Sequence, residues 1–209
     1  MTGFTGLPRV YPLTDVAMSG LSHAEQVQLL STGGATLVQL REKQMPAREF
    51  YEQAGAAVEV ARQRGVTLII NDRVDVALAV KAHGVHLGQD DMPPVAARKL
   101  LGDDAIIGYS THNIEQATTA LTLPIDYLAI GPIFETSTKS DTSPVLGLEG
   151  LRAVRKAIGA IPLVAIGGIS AANAREVIEA GADSVALISA LLSDPRQIPE
   201  AIRALIHAM

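Results

Sequence analysis

Eight short apolar runs, rich in β-branched residues, alternate along this chain with longer segments of helical periodicity. That alternation is typical of a parallel sheet built from βα units. Most of the runs lack an in-out alternation of apolar and polar residues, which indicates strands covered on both faces. We predict strands at residues 9–14, 36–41, 67–71, 84–88, 105–110, 127–132, 163–167 and 184–189.

The helices between these runs have recognisable cap residues. A capping box, a side-chain cap and a first-turn proline are expected at helix starts. Glycines that can adopt a left-handed conformation are expected at helix ends. The starts are assigned to Ser22 with Glu25, to Asn113 and to Pro195, and the ends to Gly65, Gly102 and Gly181.

Eight βα units in 209 residues favour an α/β protein with a compact (β/α)8 TIM barrel, predicted to form one domain over residues 1–209. A doubly wound open sheet is the structural alternative. That fold requires a glycine-rich first βα turn, whereas the turn after Thr14 reads DVAMSGLSH. No linker-like or low-complexity segment divides the chain.

The composition excludes several classes of function. The chain has no cysteine, which rules out disulfides and thiolate catalysis and fits a reducing compartment. Its formal net charge is -5, with no block of basic residues, so we expect no nucleic-acid partner. A signal-like start and a run of about 18 apolar residues are both missing, so we expect a cytoplasmic protein that does not associate with membranes.

Polar residues collect where the predicted strands end, which is the end of a (β/α)8 barrel that holds the chemistry. In the segment VQLREK the side chains of Gln39, Arg41 and Lys43 are two residues apart, so an extended chain projects all three to one side. This row could bind an anion. It could equally be a barrel layer with a solvated lysine at the rim, because buried charges are seldom unpaired.

Carboxylates follow two neighbouring predicted strands. Asn71 and Asp72 end the third strand, and Asp90 and Asp91 end the fourth. One acid from each strand could hold Mg²⁺ together with water and phosphate oxygens. Consecutive residues of an extended chain point opposite ways, so only one of Asp90 and Asp91 is expected to be a direct ligand. Helix caps without a metal are the structural alternative.

Two further segments have the composition of phosphate sites. Gly167 and Gly168 end the seventh predicted strand, and the backbone amides of Ile188 and Ser189 end the eighth. Such amides often bind a phosphate in these barrels, and a loop of hydroxyls with one lysine suits a clamp or lid. Ordinary glycine turns and a polar surface loop are the alternatives. The loop residues are Thr136, Ser137, Thr138, Lys139 and Ser140.

Three histidines occur in the central part of the chain, at His83, His86 and His112. None has a second histidine at metal-ligand spacing with a carboxylate between them, so zinc binding is not expected. Only His112, beside the end of the fifth predicted strand, is expected to lie close enough to touch a substrate.

Together these motifs resemble the thiamine phosphate synthase family. From about residue 9 to residue 192, the segments VQLREK, IINDRVDVALAVKAHGVHLGQDDMP, GYSTH, GPIFETSTK, AIGGI and ISAL occur in the order of the family. The resemblance implies a (β/α)8 barrel enzyme that joins a pyrimidine diphosphate to a thiazole phosphate, with Mg²⁺, and releases pyrophosphate. These small molecules would be its partners. A homo-oligomer is one assembly that the sequence leaves open.

Carried over position by position, the family pattern implies a role for each candidate residue. Asp72 and Asp91 look like the Mg²⁺ ligands. The residues implied to act in catalysis are Arg41, Lys43, Ser110 and Lys139. The pyrimidine diphosphate site would contain these four with Gln39 and Asn71, and the thiazole phosphate site would contain Thr136, Ser137, Thr138, Gly168, Ile188 and Ser189.

A sister family of thiazole tautomerases shares the barrel and part of these motifs. Its members use a histidine near the end of strand five, close to the position of His112, and the spelling FET in GPIFETSTK is also seen there. A tautomerase needs no complete diphosphate and metal site, however. The full set of charged residues therefore favours a synthase over a tautomerase or a non-catalytic phosphate-binding barrel.

Overall fold

The computed structural model describes residues 6–136 and 144–209. Eight parallel strands close into a barrel in sequence order, and β1 pairs with both β2 and β8. The predicted (β/α)8 barrel is confirmed. The strands are β1 Val10–Thr14, β2 Leu37–Leu40, β3 Thr67–Asn71, β4 Gly84–Leu87, β5 Ile106–Thr111, β6 Tyr127–Ile130, β7 Leu163–Ile166 and β8 Ser184–Leu187.

Helices connect successive strands around the barrel. Short helices directly follow β1 and β8, and a longer helix comes after each of them. No helix in the described ranges is long and apolar enough to cross a membrane. The helices are α1 Val16–Ser19, α2 His23–Thr32, α3 Ala47–Arg64, α4 Val74–Val80, α5 Pro94–Leu101, α6 Ile114–Ala120, α7 Gly147–Ile158, α8 Ala174–Glu179, α9 Ser189–Leu192 and α10 Ile198–Ala208, with a 3₁₀ turn at Pro195–Gln197.

Every predicted strand overlaps an observed strand, and the differences are confined to the ends. β3 coincides with the predicted range 67–71. The largest differences follow β6 and β8, each of which ends two residues earlier than predicted. Ser189 begins α9 instead of ending β8.

The predicted helix starts are confirmed, whereas the predicted helix ends are only partly correct. Ser22 and Glu25 form a capping box, and Asn113 accepts a hydrogen bond from the Gln116 N–H at 2.9 Å. Pro195 opens the 3₁₀ turn. Gly65 ends α3 in the left-handed conformation, with φ 66° and ψ 32°.

The prediction of left-handed caps is wrong at the other two glycines. Gly102 caps α5 with φ 84° and ψ 175°, which is outside the left-handed helical region. Gly181 has a φ of 114° and lies one residue beyond the cap of α8, which is Ala180. Both positions still use backbone angles that side chains disfavour, because glycine has no Cβ.

Close packing between β4 and β5 depends on a glycine. Gly84 is paired with Ile106, and a Cβ at Gly84 would lie 1.9 Å from the carbonyl oxygen of Ile106. Gly55 in α3 differs, because a Cβ there would meet nothing within 4 Å. The two glycines therefore form a matched pair for testing the packing of the barrel.

We predict that Gly84→Ala lowers the free energy of unfolding by about 1–3 kcal/mol, because the added methyl group forces β4 and β5 apart. Gly55→Ala should instead be neutral or raise it by about 0.5–1 kcal/mol, because alanine has the higher helix propensity. Urea unfolding of both variants checks the prediction. Equal effects of the two substitutions would contradict it.

Candidate active site

The carboxyl ends of the strands surround a cavity of about 930 Å³. Most of its polar wall comes from β2, β3, β4 and β5 and from the loops that directly follow them. Most of the residues predicted for the pyrimidine and metal sites are therefore brought together. The polar lining includes Gln39, Arg41, Lys43, Asn71, Asp72, Asp90, Asp91, Ser110 and His112.

Arg41 is held at the cavity by an acidic partner that the sequence analysis missed. Its Nη1 donates to Asp15 Oδ2 at 2.6 Å, and the two side chains are only 12% and 15% exposed. The Nε of Arg41 is buried and has no hydrogen-bond partner within residues 6–136 and 144–209. A buried donor without a partner is costly, so this N–H has unused hydrogen-bonding capacity.

Glu42 fixes the backbone of the loop that follows β2. Its Oε1 accepts from the backbone N–H groups of Lys43, Gln44 and Met45 at 2.8, 2.8 and 3.1 Å. Burial raises the pKa of Glu42, but these donors outweigh burial and hold the pKa below its ordinary value. The loop is thus fixed between Arg41 and Lys43, the two cations of the predicted row.

The acidic pair predicted to bind a metal lies beside Lys43. The Lys43 Nζ donates to Asp72 Oδ2 at 2.5 Å. Burial raises the pKa of Asp72, Lys43 lowers it, and the nearby carboxylate of Asp91 raises it again, so the pKa lies above its ordinary value. An added cation would favour the ionised pair, because opposite charge stabilises a carboxylate.

Local geometry directs these two acids toward each other. Asp72 has a positive φ of 61°, and its N–H donates to the His86 carbonyl oxygen at 2.8 Å. Asp91 Oδ2 accepts from the Gly88 N–H at 2.7 Å, while Asp90 is exposed. No group of three histidines, cysteines or acids in the described ranges could hold a metal, so a cation here would take its other ligands from water or substrate.

Asn71 supplies the second donor at the cavity for which the described residues offer no partner. The residue lines the cavity and is buried, and its Nδ2 has no hydrogen-bond partner in the described part of the chain. Like the Arg41 Nε, it therefore has hydrogen-bonding capacity for a ligand with acceptor oxygens. Asn71 is the last residue of β3, and Arg41 directly follows β2.

A second pocket lies against the first and contains the glycine-rich segments. Ser110 and His112 line both pockets. Gly168 has a φ of 64°, and a Cβ there would lie 2.5 Å from the Glu135 carbonyl oxygen, so only glycine fits. The predicted phosphate residues in its wall are Thr136, Gly168, Ile188 and Ser189, with Gly167 beside them.

Four residues of the predicted clamp loop lie outside the described residues: Ser137, Thr138, Lys139 and Ser140. Among the histidines, the expectation that only His112 reaches the site is wrong, because His86 also lines the larger cavity. His112 Nδ1 lies 2.8 Å from the Gly131 carbonyl oxygen and must donate to it, since a carbonyl oxygen only accepts.

His23 lies next to Glu42, in the loop that follows β2, and was not singled out by the sequence analysis. Its Nδ1 lies 2.7 Å from Thr14 Oγ1, and its Nε2 is 3.7 Å from Glu42 Oε2. Burial lowers the pKa of His23, and the nearby Glu42 and Asp15 oppose this only partly. The ring is therefore held neutral at the base of the loop that carries Lys43.

The closed barrel, with a cavity of cations and carboxylates at the carboxyl ends of its strands, defines a (β/α)8-barrel enzyme with a polar active site. Residues 10–191 match the family model described as thiamine monophosphate synthase. The chain therefore belongs to the thiamine monophosphate synthase family, which confirms the resemblance seen in its motifs.

Individual relatives agree with this assignment along nearly the whole chain. The chain is 48% identical to the thiamine-phosphate synthase of Chloroflexus aurantiacus over 95% of this chain and 92% of that protein. It is 50% identical to that of Albidiferax ferrireducens over 96% and 93%. The solved thiamine phosphate pyrophosphorylase of Pyrococcus furiosus superposes with a TM-score of 0.84 at 39% identity, covering 95% of each chain.

We predict that His23 makes the protein less stable in mild acid. Because the folded pKa lies below the ordinary value, its contribution is present above about pH 6.5 and is lost as the pH falls through the folded pKa. In His23→Gln the loss of unfolding free energy between neutral pH and about pH 5 should be smaller than in the unchanged protein. Urea unfolding at both pH values checks this.

The control for this prediction is His207→Gln, because His207 is exposed near the end of α10. This substitution makes the same chemical change at a histidine on the surface. A pH dependence in His23→Gln as steep as in the control would contradict the role given to the buried ring.

Proposed function

We propose that this protein couples 4-amino-2-methyl-5-(diphosphooxymethyl)pyrimidine to 4-methyl-5-(2-phosphooxyethyl)thiazole, giving thiamine phosphate and pyrophosphate. Family membership supports the reaction. The observation that carries its assignment to this cavity is the row of Arg41, Lys43, Asp72 and Asp91, in which two cations adjoin an acidic pair. Such a row suits a diphosphate bound together with a divalent cation.

Asp72 and Asp91 would hold the Mg²⁺. The donor set fits this ion, because two adjoining carboxylates supply hard oxygen ligands and leave room for water and phosphate oxygens. When bound, Mg²⁺ would neutralise part of the negative charge on the diphosphate. Lys43 forms an ion pair of 2.5 Å with Asp72 and lines the cavity. It would then be shared between Asp72 and the diphosphate.

The protein residues would stabilise the leaving group directly. As the carbon–oxygen bond breaks, its electron pair goes to the departing diphosphate, whose oxygens gain charge. The Arg41 Nε–H and Asn71 Nδ2–H are buried donors that could meet those oxygens, and preorganised donors of this kind are effective where water is excluded. The family pattern adds Lys139, which lies outside the described residues.

The second substrate would complete the reaction without a protein base. The thiazole nitrogen has a lone pair and forms the new carbon–nitrogen bond to the methylene carbon, so no proton has to be removed. Gly168, Ile188, Ser189 and Thr136 would hold its phosphate in the second pocket, with Ser137 and Thr138 as further candidates. Because Ser110 and His112 line both pockets, the nitrogen and carbon could be held close together.

Thiazole tautomerisation is the second candidate function. The observation that favours it is His112, which lines both pockets and has its Nδ1 fixed by the Gly131 carbonyl oxygen. A non-catalytic phosphate-binding barrel is the third. We further propose that the protein works in the cytoplasm, where its small phosphorylated substrates would be available; a homo-oligomer would be compatible with this role.

The direct test is to mix the purified protein with both phosphorylated substrates and Mg²⁺ and to measure pyrophosphate and thiamine phosphate. We expect equal amounts of the two products, and none when the thiazole phosphate is left out. Failure to release pyrophosphate would exclude the synthase. Isomerisation of the thiazole precursor that is lost in His112→Ala, in a protein inactive as a synthase, would favour the tautomerase.

We predict that Asp91→Asn lowers the rate of coupling by about 10²- to 10³-fold, because a bound metal contributes several kcal/mol to such a reaction. The concentration of Mg²⁺ required for half-maximal rate should also rise. Asp90→Asn is the matched control, since Asp90 is the neighbouring acid and is exposed; it should change both quantities far less. An unaltered Mg²⁺ titration in Asp91→Asn would refute the assigned ligand.

A further inference from the structure

The loop after β1 carries an acid whose two carboxylate oxygens hold different parts of the structure. Asp15 directly follows β1, and its Oδ1 accepts from the Met18 N–H at 3.0 Å as the N-cap of α1. Its Oδ2 accepts from Arg41 Nη1 at 2.6 Å. One side chain therefore joins the start of α1 to the cation that follows β2.

The backbone of Asp15 is held as firmly as its side chain. Its N–H donates to Gln26 Oε1 at 3.0 Å, and its carbonyl oxygen accepts from the Ser19 hydroxyl at 2.8 Å and from the Ser19 N–H at 3.2 Å. Gln26 is buried in α2 and donates in turn to the Leu21 carbonyl oxygen at 2.9 Å. Every polar group of Asp15 thus has a partner, so its carboxylate is fixed in position.

Arg41 has no comparable set of contacts of its own. Its backbone N–H makes a long hydrogen bond of 3.4 Å to Thr14 Oγ1, and the hydrogen bond to Asp15 is the one that its guanidinium makes with the described residues. The side chain is 12% exposed and lines the cavity. Arginine loses much rotamer freedom when it is ordered, so this single anchor decides where its planar group points.

The position of the anchor on the guanidinium determines which edge of the group Asp15 does not use. Nη1 is by definition the nitrogen cis to Cδ, so the edge formed by Nε and Nη2 lies on the other side. These two nitrogens carry parallel N–H bonds, the arrangement that binds two oxygens of a phosphate or a carboxylate. Asp15 therefore leaves unused the edge that suits a diphosphate best.

We propose that Asp15 is a positioning residue, which orients Arg41 so that the edge formed by Nε and Nη2 meets the oxygens of the diphosphate. The inference rests on the proposed function, because that function supplies the ligand of this edge. Arg41 is among the described residues that line the cavity, whereas Asp15 is not, so Asp15 acts through Arg41. Gln26 and α1 hold Asp15, and Asp15 holds Arg41, so the arrangement is built before a substrate binds.

The charge of Asp15 alone would have the opposite effect on a diphosphate. A carboxylate repels an anion, so an acid without a role in orientation would weaken binding, and its removal would strengthen it. A guanidinium that is already oriented avoids the cost of ordering its side chain when the ligand binds. The direction of the change on substitution therefore distinguishes orientation from charge compensation.

The test measures the binding of inorganic pyrophosphate with Mg²⁺ by calorimetry, in the absence of both substrates. Asp15→Ser keeps a side-chain oxygen that can cap α1 but is too short to reach Arg41. We expect this variant to bind pyrophosphate about three- to tenfold more weakly, which is the cost of ordering one arginine side chain. Unchanged or tighter binding would overturn the proposal.

Two comparisons separate this role from general damage to the fold. Asp194 is a matched acid, because it caps the 3₁₀ turn through the Arg196 N–H and pairs with the Arg196 side chain, each at 3.1 Å. Asp194→Ser should therefore bind pyrophosphate as the unchanged protein does. In a protein that already carries Arg41→Gln, Asp15→Ser should weaken binding no further, since it acts through Arg41. Additive losses from the two substitutions would contradict the proposal.

The orientation of Arg41 can also be measured without a ligand. Nitrogen-15 relaxation of the arginine Nε–H groups, with the Arg41 signal assigned by its loss in Arg41→Gln, should show a rigid side chain that becomes mobile in Asp15→Ser. Equal mobility in both proteins would overturn the proposal. Asp15→Asn, which keeps the shape of the side chain, replaces Asp15→Ser if that variant does not fold.

The two measurements also distinguish failure of this inference from failure of the proposed function. If the unchanged protein does not bind pyrophosphate, the diphosphate site itself is wrong and the proposed function fails. The relaxation result then still decides whether Asp15 orients Arg41.

Discussion

Barrel closure is the constraint on which the rest of the structure depends. The pairing of β1 with both β2 and β8 brings the carboxyl ends of all eight strands to one mouth. Side chains that are far apart in the sequence meet there, including Asp15 with Arg41 and Lys43 with Asp72. An open sheet with the same strands would separate the first unit from the last and would divide the cavity.

The mouth of the barrel combines charge with burial, and neighbouring groups limit the cost. Arg41 is nearly buried but is neutralised by Asp15, and the Glu42 carboxylate is satisfied by three backbone donors. Asp72 is less well compensated, and its raised pKa reflects burial beside Asp91. A bound cation would therefore relieve the repulsion between these two acids. Acids with perturbed pKa values often mark functional sites.

Much of this arrangement could be predicted from the sequence, because strand periodicity and the polarity of strand ends are local signals. Those signals alone are enough to place Arg41, Asp72 and Asp91 at the mouth of the barrel. The ion pair of Arg41 with Asp15 could not be predicted, and neither could the hydrogen bonds that join Tyr127 to Tyr11 and to His86. Which side chains meet across a barrel depends on the register between its strands, and no local sequence pattern shows that register. Two tyrosines within aliphatic strands, in a chain with 3% aromatic residues, did indicate that these positions are unusual.

Gly108 shows how a position without a side chain can govern polar chemistry. It contacts the ring of Tyr127 and the Nδ1 of His86 so closely that one methyl group would occupy the space of their hydrogen bond. Gly108→Ala would therefore disturb this hydrogen bond, although glycine has no side chain to lose. A survey of ligand contacts would not include this residue. In this barrel the absence of a side chain at one position is as necessary as a functional group at another.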